Sequence, residues 1–245
     1  MIRTALLASV LALAACGGGG EAGTTVAAAG PAKPVPPPAG QQWTDVVAVT
    51  PDGGRRMGNP DAPVKLVEFA SLTCHVCADF STTGAEPLKD YVRSGTVSYE
   101  LRNFIRDGID LAAAQLTHCV PAQAYFPVTE ALYADQKNWF GDRIDALNAQ
   151  LSSLRNAPPA QQTQVAIKAT GLDSTFASRG LSAPAQAKCL SDTAAMERLS
   201  KQTEAAADEY SIQGTPTFVL NGRKIEGTAW SLVEPAIARA GAVKG

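Results

Sequence analysis

The sequence predicts an α/β fold: a sheet flanked by helices and interrupted by an all-helical insertion. Three observations predict it. Stretches with strand character lie before residue 106 and again after residue 216, while the segment 107–191 carries apolar residues only at helical spacing. Asn221-Gly222 stands between two short β-rich runs, a strong hairpin signal near the C-terminus. The apolar run 64–70 leads straight into a helical pattern, the strand-to-helix step from which α/β sheets are built.

In chain order, 43–49 reads as a first strand, and turn-rich stretches follow at 51–54 and 58–63. The run 64–70 is mostly apolar and of strand length, with one acid, Glu68, among apolar neighbours. Residues 76–93 read as a helix with a bend near Pro87, because proline removes a helical hydrogen bond. Residues 96–104 alternate (Val97, Tyr99, Leu101) and read as a strand. Helical patterns follow at 110–119, 124–140, 142–155, 160–170, 183–190 and 192–210. Strands at 217–220 and 223–226 and a helix at 229–240 close the chain.

Of 245 residues, 45% are hydrophobic and 18% charged, which is enough apolar material for a large core. The net charge is -2 and there is no basic run, which argues against a nucleic-acid partner. No apolar run of membrane-spanning length lies beyond the N-terminus. Residues 1–15 have the short positive start and apolar stretch of a signal peptide. They end Leu13-Ala14-Ala15-Cys16, which resembles the lipobox of bacterial lipoproteins. That resemblance implies cleavage before Cys16 and lipid on Cys16, hence an anchor to a membrane facing the periplasm. Gly17 rather than Asp follows Cys16, which favours the outer membrane. Residues 16–42 are rich in Gly, Ala and Pro and read as a disordered tether.

The chemistry concentrates in cysteine. With Cys16 set aside, Cys74, Cys77, Cys119 and Cys189 remain in an exported chain, where disulfides persist. Three pairings are possible. Cys74–Cys77 with Cys119–Cys189 leaves no odd thiol and is the expected one. Cys74 falls where a helix begins, so unpaired N–H groups and the positive end of the helix dipole favour its thiolate. Cys77, one turn on, can attack a mixed disulfide formed at Cys74. Such a pair is a redox centre that needs no cofactor and no metal. A zinc site would need a second pair at suitable spacing, and Cys119 and Cys189 are too far apart in sequence to supply one. A metal-binding or purely structural envelope lipoprotein is the alternative.

Strand, Cys-x-x-Cys at a helix start, strand, helical block, then Gly214-Thr215-Pro216-Thr217 opening a hairpin resembles the DsbA-like family of exported thiol:disulfide oxidoreductases. The resemblance covers 43–245. It implies a thioredoxin fold with a central mixed sheet, split into 43–106 and 192–245, with 107–191 inserted. It implies a cis bond at Thr215-Pro216, with Thr215, Pro216 and His75 beside the substrate. It implies that Glu68 moves a proton for Cys77 and that Cys119–Cys189 is a structural disulfide. Protein or peptide thiols are the implied substrates, with a membrane redox partner, and oxidase or isomerase is the implied direction, a reductase the alternative. One departure stands out. Strong oxidases of the family carry His before the second cysteine, and here that residue is Val76, which cannot donate to the Cys74 thiolate.

Overall fold

A computed structural model describes residues 29–245. The expected signal peptide, Cys16 and the tether up to residue 28 lie outside the described residues.

The strands are β1 (Val47–Val49), β2 (Arg55–Gly58), β3 (Val64–Ala70), β4 (Val97–Asn103), β5 (Thr217–Leu220) and β6 (Arg223–Ile225). They form one six-stranded sheet in the order β1-β2-β4-β3-β5-β6. Only β3 and β4 run parallel; the other neighbours are antiparallel, so the sheet is mixed. β3 is central, and its burial on both faces explains its near-continuous apolar sequence. Glu68 therefore has no open face: it lies in register with Leu101 of β4 and Phe218 of β5.

Helix α1 (His75–Arg93) follows β3 and crosses to β4, with Pro87 inside it. Its apolar face carries Phe80, Leu88, Tyr91 and Val92. Phe80 meets Phe218 of β5 at 4.5 Å between ring centroids, which fixes α1 to the sheet. Between β4 and β5 run α2 (Gly108–His118), α3 (Tyr125–Ala134), α4 (Gln136–Trp139), α5 (Ile144–Ser153), α6 (Pro159–Thr170), α7 (Leu172–Ser178), α8 (Ala183–Leu190) and α9 (Thr193–Tyr210). α10 (Trp230–Arg239) ends the chain. Asp107 opens α2 by accepting from the Ile109 and Asp110 amides, and Asp192 caps α9 through the Ala195 amide.

The structure departs from the sequence reading in four places. Residues 43–45 form a 3-10 turn, so the first strand is only Val47–Val49. β2, Arg-Arg-Met-Gly, was hidden by its charges: it lies inside the sheet, with Arg55 and Met57 buried. The pattern at 124–140 breaks at Asp135 into α3 and α4. α7 fills a gap between the helical patterns at 160–170 and 183–190.

The last part of the expected tether is also ordered. Ala29 and Ala32 donate backbone hydrogen bonds to the Arg239 and Gly241 carbonyls, and Val35 donates to Ser94. Trp43, buried, donates its indole N–H to the Val35 carbonyl at 2.7 Å. Residues 29–43 are thus a fixed arm along the ends of α10 and α1. No helix among the described residues is long and apolar enough to cross a membrane.

Candidate active site

Cys74 is the residue just before α1, with extended backbone (φ -92°, ψ 119°), and Cys77 lies one turn along. Both are buried free thiols in this structure. Thr215 faces them from the loop before β5, across a cis Thr215-Pro216 bond. Cys74 Sγ lies 3.2 Å from the Thr215 carbonyl, to which it donates when protonated. The Thr215 hydroxyl is buried with no hydrogen-bond partner among the described residues, leaving it free to donate to a thiolate. The structure thus brings together Cys74, Cys77, Thr215 and Pro216, which are far apart in sequence. His75 is exposed at the first position of α1, at the lip of this site.

The two thiols have opposite acidities. Cys74 is brought down to about 5. The Cys77 thiol contributes most by hydrogen bonding to it; Thr215 and the Val76 and Cys77 amides add to this against the opposing effect of burial. Val76, which lacks the donor of a histidine side chain, still contributes its backbone N–H. Cys77 is pushed far above the ordinary thiol range, first by burial, then by its bond to Cys74 and by the charge of Glu68. At neutral pH Cys74 is a thiolate and Cys77 a thiol.

Glu68 is buried beneath this pair, and burial raises its carboxyl to about 8. Tyr99 of β4 donates its hydroxyl to Glu68 Oε2 and pulls in the other direction. An acid poised near neutral pH can give or take a proton under working conditions. Tyr99 was absent from the sequence-derived site; its inward position in the alternating β4 was the available signal, but its register opposite β3 was not.

Cys119 and Cys189 form a disulfide, with Cα atoms 6.3 Å apart, joining the end of α2 to the last turn of α8. His118 beside it is buried, bonded to Asn103 Oδ1 at 2.9 Å, and brought down to about 3 by burial and by Arg55, so it is a neutral packing group. Among the described residues no group of three or more His, Cys, Asp or Glu has the arrangement of a metal site.

A sequence profile of the thioredoxin family matches residues 50–237. The chain belongs to the thioredoxin family. Within it, the helical block between β4 and β5 gives this thioredoxin-fold chain the DsbA-like form. A solved protein-disulfide isomerase from Novosphingobium aromaticivorans is similar over 76% of this chain and 96% of that one, at 34% identity and a TM-score of 0.71. The structure of Wolbachia pipientis alpha-DsbA1 shares the fold over 78% of this chain and 94% of its own, with 22% identity and a TM-score of 0.60. A Rickettsia bellii protein, provisionally named a protein-disulfide oxidoreductase, is 25% identical over 187 residues, covering 75% of this chain and 63% of its own length. The chain thus spans a little under two thirds of the length of the curated relatives it matches.

Proposed function

We propose that this chain is a thiol:disulfide oxidoreductase that exchanges a Cys74–Cys77 disulfide with protein thiols. The opposite ionisation of the two sulfurs carries the reading. In the oxidising direction a substrate thiolate attacks Cys74 Sγ, the Cys74–Cys77 bond breaks, and Cys77 leaves as a thiolate. Glu68 supplies the proton that Cys77 keeps. A second substrate thiolate then attacks the substrate sulfur bound to Cys74, and Cys74 leaves. Two substrate thiols become one disulfide; of their two protons one restores Glu68 and the other goes to solvent, and the enzyme ends with a Cys74 thiolate and a Cys77 thiol. In the isomerising direction the Cys74 thiolate attacks a substrate disulfide, that S–S bond breaks with its other sulfur leaving as a thiolate, and the same mixed disulfide forms. Thr215 and Pro216 border the sulfurs, where an extended substrate strand can lie with its backbone on the Thr215 side; His75 sits at the entrance.

A thiolate stabilised at Cys74 stabilises the reduced enzyme, which makes the disulfide form a better oxidant. This favours oxidase or isomerase over reductase. The expected reduction potential lies above the about -270 mV of thioredoxin; a value at or below that figure would reverse the direction. Cys74→Ser is expected to abolish exchange in a peptide-oxidation or insulin-reduction assay, and Cys77→Ser to trap mixed disulfides on Cys74. Retained turnover in the first variant would end this reading.

The cellular setting belongs to the same proposal: export by residues 1–15, lipid on Cys16, and work in the bacterial envelope facing the periplasm, on the outer membrane, with a membrane protein returning the enzyme to its oxidised state. The arm at 29–43 supports it. It meets the body at Ser94, the far end of α1 from Cys74. Nineteen residues of helix separate those ends, about 28 Å at 1.5 Å per residue. A chain tethered through this arm holds its sulfurs away from the anchored end.

A further inference from the structure

The loop carrying the nucleophile is held by side chains of the helical block. Residues 71–74 run from the end of β3 to the start of α1 and share five hydrogen bonds with side chains of the segment 107–136. The Leu72 amide donates to Asp110 Oδ1 at 2.8 Å, and Thr73 Oγ1 donates to Asp107 Oδ2 at 2.9 Å. The Tyr133 hydroxyl donates to the Ser71 carbonyl at 3.3 Å. Gln136 Nε2 donates twice, to the Leu72 carbonyl at 2.7 Å and the Cys74 carbonyl at 3.0 Å. Asp110 and Gln136 are both buried, and Asp110 also accepts from the Arg106 amide at 3.0 Å through its other oxygen.

The Cys74 carbonyl is where this matters. It accepts the Ala78 amide, the first helical bond of α1, so Gln136 bonds the same oxygen that starts the helix. The orientation of that peptide fixes where the next amides point. Two of them, Val76 and Cys77, stabilise the Cys74 thiolate. A loop free to rotate at Leu72 and Cys74 would swing those amides off the sulfur. Asp110 fixes the Leu72 amide and Gln136 the Leu72 carbonyl, so the two side chains grip the loop through both polar atoms of one residue.

We propose that Gln136 and Asp110 are positioning residues for the redox centre: they hold the loop 71–74 so that the first turn of α1 presents its amides to Cys74. The helical block thereby sets the reactivity of a sulfur borne by the sheet domain. This rests on Cys74 being the nucleophile, but its readout is the ionisation of that thiol. Loss of the positioning role with Cys74→Ser still inactive would leave the exchange reading intact.

The test measures the Cys74 pKa in the full chain from the pH dependence of iodoacetamide alkylation, together with the reduction potential against glutathione. Q136M keeps the volume and removes the donor; D110A removes both acceptor oxygens, whatever the ionisation of a carboxyl that burial raises to about 7. Each is expected to raise the Cys74 pKa by about one pH unit, which at pH 5 slows alkylation about fivefold. A tenfold loss of thiolate stabilisation moves the potential about 30 mV toward thioredoxin. L147A is the control: Leu147 is fully buried on α5 in the same block but makes no hydrogen bond to the loop through its side chain. It is expected to lower the melting temperature and leave the Cys74 pKa in place. An unchanged Cys74 pKa in Q136M and D110A overturns the proposal, and so does an equal rise in L147A. If Q136M fails to fold, D110A decides alone.

Discussion

The chain holds two cysteine pairs, and they sit at opposite ends of helices. Cys74 precedes α1, where the unpaired amides and the positive end of the dipole favour a thiolate. Cys119 is the residue that ends α2, and Cys189 lies in the last turn of α8. Both face the carbonyl end, where a thiolate is disfavoured; Cys189 Sγ lies 3.2 Å from the Gln115 carbonyl. A disulfide whose sulfurs are poor thiolates is a poor leaving group for an attacking thiol. One residue type thus gives a reactive pair at one helix end and an inert staple at the other. The spacing agrees: only two residues lie between Cys74 and Cys77, whereas Cys119 and Cys189 are 70 apart and tie down most of the helical block.

The largest expected effect separates the pairs. The double variant C119S/C189S should keep thiol exchange at Cys74 while losing stability. Closing a loop of 70 residues contributes about 4 kcal/mol on the chain-entropy account, so the melting temperature should drop by roughly 10 °C. If exchange fell with it at temperatures where the variant is folded, the second pair would be a part of the redox machinery and the contrast would break.

Glu68 sharpens the first half of the contrast. Its carboxyl stands at about 8 in the folded chain against an ordinary value of 4.5. The folded state keeps this proton over a range in which the unfolded chain has lost it. Stability from this group is therefore full below about 4.5 and declines as pH rises to about 8. A tenfold change in proton affinity corresponds to about 1.4 kcal/mol, so the buried acid costs a few kcal/mol at pH 8. Relative to wild type, E68Q should be more stable at pH 8 and lose that advantage toward pH 5, in chemical denaturation of the oxidised protein, where Cys74 does not titrate. Slopes from His118 and from Asp110, whose carboxyl burial raises to about 7, cancel in the difference. E68Q should also slow the resolution by Cys77 of mixed disulfides on Cys74. A stability difference independent of pH would mean that Glu68 is charged in the fold.

The parts of this site legible in the sequence are those written locally. The β3 run, the cysteines two residues apart and the Asn-Gly hairpin each announce themselves within ten residues. Gly214 to Thr217 was readable only through the family resemblance. What stayed hidden is non-local. β2 is a strand because β1 and β4 flank it, and Arg55-Arg56 gives no such signal alone. The composition of residues 29–42 reads as tether, yet backbone bonds to Ser94, Arg239 and Gly241 order its last part, and backbone bonds leave no trace in side-chain type. Asp110 and Gln136 look like ordinary polar residues of a helical stretch until the fold sets them against Leu72.

Tyr99 gives the smallest effect and the finest test. Its hydroxyl donates to Glu68 Oε2 and so favours the carboxylate, while burial favours the acid. Removing the donor leaves burial unopposed. Hydrogen bonds to charged groups contribute about 1.5–3 kcal/mol, so Y99F should raise the Glu68 pKa above about 8 by about one pH unit, read by NMR of the labelled carboxyl. The Cys119–Cys189 disulfide should stay intact and the melting temperature should move little near pH 5, where Glu68 is protonated in both proteins. At pH 8 the variant's Glu68 would hold its proton more tightly, favouring the protonated Cys77–Glu68 pair and slowing any step in which Cys77 must lose its proton to resolve a mixed disulfide. A lower Glu68 pKa in Y99F would mean that water enters the space left by the hydroxyl and solvates the carboxylate, making access of water rather than Tyr99 the control on this proton.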